Sequence, residues 1–368
     1  MFVLSTRNFP PETGGIQSLM EGLAQSLLNY GPVKVFADKK SDEDYSYDNK
    51  SQLDVERVSG IKLFRKYRKS NVVNEFVNNT NNIRALFVDH WKSLEHLNSY
   101  IISKTKVFCL IHSKEINHPK NSNQNKRIIN SASKADFIIA NSNFTKRLAI
   151  DIGIDGKKIK VIFPGIKRPQ KINDKFKLES ENIFQNSFPK IITVARLDKR
   201  KGHDKILMSV KNLKNKYPRI KYVSIGDGKE KNTLHKLCEE LSLKNEVCFL
   251  NNITESLKNS LITNSNFFLM PTVVDGKSVE GFGISYIEAA SYGISSIGGK
   301  DGGESDAISH NKTGLICDGN DLNSIYSSIE TMLENKNYLK LGKKAEEFSK
   351  NFYWDVVIKN YIGLIKSI

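Results

Sequence analysis

The sequence predicts an α/β protein made of two doubly wound, Rossmann-like domains facing a cleft. Three observations carry that reading. Short apolar runs of strand length alternate with longer segments of helical spacing along the whole chain. Glycines and basic residues recur just past the strand-like runs, at the edge where open parallel sheets bind ligands. A polar stretch, residues 167–189, lacks apolar periodicity and splits the alternation into two series. A chain of 368 residues also suits two domains by length alone. The expected division is 1–168 and 169–349, with a last helix over 350–368.

In the first series, Phe2–Thr6 reads as a buried strand. Pro10 and Pro11 forbid helix, and Gly14-Gly15 forms a loop. From Ile16 an apolar stripe through Leu19, Leu23 and Leu27 reads as a helix ending at Gly31. Val33–Ala37 is a second strand, and residues 39–50 read as a polar loop. Lys62, Arg65, Lys66, Arg68 and Lys69 interleave with Leu63, Phe64, Tyr67 and Val72. As a helix this stretch is basic and amphipathic, suited to a membrane surface; as a strand and turn it is a basic surface only. Two further strands end at His90 and His112. A strand over Ala135–Ala140 precedes a helix with Asn143 as its cap, and a strand running to Pro164-Gly165 closes the series.

The second series begins with the strand Ile191–Ala195, followed by Arg196, Lys199, Arg200 and Lys201 and a helix from His203. Cations at a strand's carboxyl end, ahead of a helix, are placed for phosphate. The next unit turns at Gly226-Asp227-Gly228, and four more strand–loop units follow. One of them, Pro271–Gly293, organises the chemistry. It holds Glu280 and Glu288 on either side of Gly281-Phe282-Gly283-Ile284. Two glycines let a ligand approach the backbone, and the helix start offers unpaired N–H groups to an anion. Two carboxylates at this offset can hold hydroxyls at separated points of one ligand. A second glycine pair, Gly302-Gly303, follows a later strand, and the tail from Tyr338 is helical.

Composition narrows the class. The hydrophobic share of 39% and charged share of 26% fit a globular enzyme. No apolar run approaches the roughly 20 residues of a membrane span, and the amino terminus lacks the pattern of a secretory signal. Cys109, Cys238, Cys248 and Cys317 show no metal-type spacing and read as buried free thiols. The expectation is a cytoplasmic protein. Its net charge of +16 is concentrated early: residues 1–168 hold 27 Lys and Arg against 16 Asp and Glu. That excess suits anionic lipid or a polyanionic acceptor, or it is a lysine-rich solvated surface. No zinc-finger or aromatic-glycine RNA-binding pattern occurs, so no nucleic acid partner is expected. No G-x-G-x-x-G follows the first strand, which disfavours a dinucleotide-dependent dehydrogenase.

Taken together, Arg196 with Lys201, Gly226–Gly228, the Glu280–Glu288 segment, Thr313–Gly319 and the opening Pro10–Gln17 resemble glycosyltransferase family 4. The motifs occur in the family's order and span nearly the whole chain, with the look of bacterial hexosyltransferases such as the phosphatidylinositol mannosyltransferases. The resemblance implies a GT-B fold in which the second domain holds a nucleotide-diphosphate sugar and the last helix returns to the first domain. It implies a retaining transfer with no metal and no cofactor. Arg196 and Lys201 would neutralise the leaving diphosphate, helped by backbone N–H groups of Gly281, Phe282, Gly283 and Ile284. Glu288 would bind the ribose and Glu280 the donor sugar. Gly226 and Ile253 would line the nucleotide, His112 would lie near the sugar, and Gly14 and Gly15 would approach donor phosphates and acceptor. A lipid-linked or glycan acceptor and peripheral contact with the inner face of a membrane complete the expectation. Pro164 and Ser113 depart from the family's usual residues, which bears on the acceptor more than the donor. The alternatives are a nucleotide-sugar epimerase of the same fold and a non-enzymatic nucleotide-sugar or polyanion binder.

Overall fold

The computed structural model describes residues 1–367; the Lys62 side chain and Ile368, the last residue of the expected final helix, lie outside that description. The chain divides into two compact units, Met1–Lys167 with the segment from Phe352 onward, and Arg168–Asn351.

The first unit is a seven-stranded parallel sheet in the order β3-β2-β1-β4-β5-β6-β7. Its strands are β1 (Phe2–Thr6), β2 (Val33–Asp38), β3 (Asp54–Val58), β4 (Ala85–Val88), β5 (Lys106–Ile111), β6 (Phe137–Ala140) and β7 (Ile159–Val161). The strand order reverses at β1, so the crevice between β1 and β4 is the topological switch point. Helices cover both faces, which is why β1, β4 and β6 are apolar and buried at nearly every position. The edge strand β3 carries Asp54 and Glu56, which both pair with Lys34 of β2 at 2.9 and 3.3 Å. Charge on that edge blunts it and hides it from an apolar reading.

The helix Trp354–Lys366 lies on Gly15–Leu27 in this unit. Gly22 and Gly165 make room for the Trp354 indole: a Cβ at either would stand 2.0 or 2.4 Å from the ring. Backbone bonds between Ile166 and Phe352 (2.8 Å) and between Trp354 and Ile166 (3.1 Å) fix the return of the chain.

The second unit is a six-stranded parallel sheet in the order β10-β9-β8-β11-β12-β13. The strands are β8 (Lys190–Val194), β9 (Lys221–Ile225), β10 (Val247–Leu250), β11 (Phe267–Met270), β12 (Ser296–Gly298) and β13 (Gly314–Ile316). Its core gathers Leu207, Val210, Tyr222, Phe267, Leu269, Ile297 and Ile325 beneath the flanking helices.

Three local expectations are corrected. Residues 39–50 contain the helix Glu43–Asp48, because buried Asp44 accepts from the Lys40 and Ser41 N–H groups at 2.6 and 3.3 Å and Asp48 pairs with buried Arg57 at 2.7 Å. The cap of helix Asn143–Asp151 is Ser142, whose hydroxyl accepts from Thr145 N–H at 2.9 Å. Within 167–189 lies the helix Asp174–Phe184, capped by Asn173 and anchored by fully buried Phe184. The basic stretch resolves as the helix Lys62–Asn79.

Candidate active site

The chemistry of the second unit gathers where β8, β9 and β11 end. After β8 the chain makes a turn over Lys199–Lys201 that closes on Gly202, left-handed at φ 71°. A Cβ on Gly202 would stand 2.4 Å from the Pro271 carbonyl, so only glycine lets this turn approach the end of β11. The approach places two cations on one carboxylate. Arg200 Nη1 lies 2.6 Å from Glu280 Oε2, and Lys201 Nζ donates to the same oxygen. All three side chains are buried. Burial pushes the Glu280 carboxyl up, but the Lys201 and Arg200 charges outweigh it and hold it at about 2. Burial pulls the Lys201 ammonium down, with Glu280 opposing and Arg200 adding to the fall. With both cations charged, the cluster carries one positive charge in excess, buried, next to a glycine-rich loop.

That loop ends at Gly283, left-handed at φ 87°, which opens the helix Ile284–Ser291 with no side chain capping its first N–H groups. A Cβ at Gly283 would meet the Tyr286 ring at 2.4 Å. Phe282 is buried, so its side chain anchors the loop in the unit's interior. Glu288 sits on the same helix, and Lys258 Nζ is 4.0 Å from its Oε1. Uncapped N–H groups and a dipole of about half a positive charge make the helix start attractive to an anion.

Arg196 stands apart from Glu280. Its side chain is 62% exposed and pairs with Asp198 at 3.0 Å. Its loop is nonetheless fixed. Gly226 at φ 151° lies so near that a Cβ would stand 2.0 Å from the Ala195 carbonyl, and Leu197 N–H donates to Asp227 at 3.0 Å. His203 bridges the Tyr222 hydroxyl at 3.0 Å and the Arg196 carbonyl at 3.2 Å, and burial pushes its imidazole down to about 4. Ile253, half-buried, precedes the Thr254 cap of helix Glu255–Thr263.

In the first unit the expected residues lie on the equivalent sheet edge. Gly14 and Gly15 open the helix Gly15–Leu27, again without a side-chain cap. His112 follows β5; its N–H donates to Glu115 at 2.5 Å, and its buried Nε2 has no partner among the described residues. His90 is structural, its Nδ1 accepting from Lys92 N–H at 3.0 Å, and burial followed by Arg7 pushes it down to about 2. The switch point itself is filled by charge. Buried Asp89 accepts from the Thr6 hydroxyl at 2.8 Å and Arg7 N–H at 2.9 Å, while Lys69 donates to the Thr6 carbonyl at 2.6 Å and to Asp38 at 2.8 Å.

The structure therefore joins Lys201 to Glu280 and adds Arg200, which the sequence showed only as one more cation in a basic loop. His203, Lys258 and Glu304 were also missed. The last follows the noted pair Gly302-Gly303 and is buried against Thr272.

Residues 174–353 match the family described as Glycosyl transferases group 1. A GDP-mannose-dependent alpha-(1-6)-phosphatidylinositol monomannoside mannosyltransferase of Mycolicibacterium smegmatis is 25% identical over 349 residues, covering 90% of this chain and 88% of the relative. A Mycobacterium tuberculosis protein of the same description is 27% identical over 173 residues, and there the match spans 46% of this chain and 45% of the relative. Among solved structures, Anabaena HepE in complex with UDP-glucose superposes with a TM-score of 0.83 at 18% identity, covering all of both chains. Sucrose-phosphate synthase from Thermosynechococcus elongatus gives 0.82 at 16% identity over 99% of this chain and 98% of that one. These likenesses show a two-unit α/β fold of the GT-B type. The match over residues 174–353, with the mannosyltransferase relatives along most of the chain, supports a glycosyltransferase.

Proposed function

We propose that the protein is a retaining, metal-independent glycosyltransferase that moves a hexose from a GDP- or UDP-linked sugar to a lipid-linked or polysaccharide acceptor in cell-envelope glycan synthesis. The observation that carries this reading is the buried Arg200–Glu280–Lys201 cluster beside an uncapped helix start in the second unit. Breaking the bond between sugar and diphosphate builds negative charge on phosphate oxygens. Fixed cations and N–H groups aimed there stabilise the transition state without reorganising. Arg196 and Lys201 would meet the diphosphate, with the N–H groups of Gly283 and Ile284; Glu288 would take the ribose. Glu280, already ionised, would accept hydrogen bonds from sugar hydroxyls. The protein's own cations fill the part a metal would play. With attack on the face the leaving group vacates, no carboxylate nucleophile is needed, and a phosphate oxygen takes the acceptor's proton.

The first unit would supply the acceptor side through Gly14, Gly15 and His112. The mycobacterial relatives' description, which names a phosphatidylinositol mannoside, supports a lipid-linked acceptor. So does the start of helix Lys62–Asn79, where Ile61 and Leu63 are 70% and 71% exposed and Phe64 and Tyr67 are also exposed among Arg65, Lys66 and Arg68. No helix among the described residues is long and apolar enough to cross a membrane. We place the protein at the cytoplasmic face of an anionic membrane, held by that surface.

A thermal-shift panel of UDP, GDP, ADP and their hexose derivatives tests the reading. One nucleotide series raises the melting temperature, and its sugar is then consumed only when acceptor is present. Sugar altered without acceptor would point to an epimerase, and no shift with any diphosphate would overturn the assignment.

A further inference from the structure

A second buried glutamate stands beside the donor cluster, and the reading above gives it no task. Glu304 is 1% exposed and opens the short helix Glu304–Ala307 after β12. Its Oε2 accepts from the Gly302 N–H at 2.8 Å, and its Oε1 meets the Thr272 hydroxyl just past β11. The turn it holds reaches Glu280 directly. Gly303 N–H donates to the Glu280 carbonyl at 2.9 Å, and a Cβ on Gly302 would stand 2.3 Å from that same carbonyl. One side chain thus ties the ends of β11 and β12 and, through two glycines, the backbone of the donor-site glutamate.

We propose that Glu304 is a positioning residue of the donor site, which fixes Glu280 through the Gly302–Gly303 turn and does so as a neutral acid, leaving the cations of the cluster in excess. This rests on the donor reading above. The surroundings favour the neutral form. Burial, with the Glu280 charge adding to it, pushes the Glu304 carboxyl up to about 7, against the pull of the Thr272 hydroxyl. The groups facing it are Glu280 from the loop, Tyr286 from helix Ile284–Ser291 and Cys317 after β13, with Asp306 on its own helix. Burial holds Tyr286 far above its ordinary range and Cys317 at about 12, so neither supplies a charge near neutrality. The cations reach Glu280 and not Glu304. Two neighbouring carboxyls are pushed apart, Glu280 ionised throughout and Glu304 protonated below about pH 7. The Thr272 hydroxyl can donate to a carboxylate or accept the acid's proton, so the contact survives in either state. Ionising Glu304 would place a second negative charge beside the cluster and cancel its positive excess.

The test is binding of intact UDP- and GDP-hexoses to the full-length protein from about pH 6 to about pH 8.5. A sugar nucleotide is used because its diphosphate has no proton that titrates there. Wild-type affinity falls roughly tenfold across that range, as one charge within the site demands. Glu304→Gln, which mimics the neutral acid, keeps the low-pH affinity throughout. Glu304→Ala leaves the Gly302 N–H unpartnered and binds roughly tenfold more weakly at every pH. A pH dependence that persists in Glu304→Gln, or a flat wild-type profile, overturns the assignment while leaving the donor site standing. No binding by wild type at any pH fells the donor reading and this inference together.

Discussion

The carboxyl edges of the two sheets are built from similar residues and do different work. In the first unit Asp38 is met by Lys69 at 2.8 Å and by Arg65 at 3.8 Å, and Asp89 by donors of Thr6, Arg7 and Asn8, so two cations stand against two anions. Every bond there ties one backbone segment to another, so the charges hold the switch point closed. In the second unit two cations share one oxygen of Glu280, the anion is in the minority, and the adjoining helix start is uncapped. A buried charge is explained once its partners are counted: a balanced network serves the fold, while an excess asks for a counter-ion from outside. On the proposed reading the donor's diphosphate goes to the second edge, while the buried charges after β1 serve the architecture of the first.

The largest effect that could break this contrast comes from removing the shared anion. Glu280→Ala leaves two buried cations unpaired and lowers the stability of the second unit by about 3–5 kcal/mol, read by denaturant unfolding, with loss of turnover. A change under about 1 kcal/mol would show that the cluster is far better solvated than its burial implies. Next, Lys69→Met removes the staple between β1 and β2 and leaves Asp38 with only the longer Arg65 contact at 3.8 Å. It lowers stability by about 3 kcal/mol without altering sugar-nucleotide affinity in whatever folds. Weaker donor binding in that variant would erase the division between the two edges.

A pH experiment sharpens the same point. Glu280 titrates lower in the folded protein than in the unfolded chain, at about 2. Its contribution is therefore present above the ordinary carboxylate range and lost as pH falls towards about 2. Glu280→Gln should flatten the acid limb of the second unit's stability curve. An unchanged limb would mean that other carboxylates carry the acid transition.

The sequence showed much of this and missed the rest for physical reasons. Strands buried on both faces announce themselves as apolar runs, so β1, β4, β5 and β11 were legible. Edge strand β3 was not, because Asp54 and Glu56 pair with Lys34 instead of burying apolar surface. The helix Asp174–Phe184 buries Phe184 fully, while Leu178 is exposed and Phe176 and Ile183 are only half-buried among charged residues, too little for a periodic signal. At the site, the motif resemblance singled out Lys201 and Glu280, and the structure brings the two side chains together. Arg200 was not singled out, since a run of Lys-Arg-Lys does not say which cation turns inward; the left-handed Gly202 decides it. Glu304 is invisible without knowing that β11 and β12 are neighbours, which brings Thr272 to it.

The most direct test uses an exposed cation of the proposed site, Arg196. Its side chain is 62% exposed and pairs with Asp198 at 3.0 Å. Sugar-nucleotide titration of Arg196→Ala should show affinity at least about tenfold weaker, with stability unchanged within about 0.5 kcal/mol. Wild-type affinity in that variant would contradict the claim that this edge receives the diphosphate.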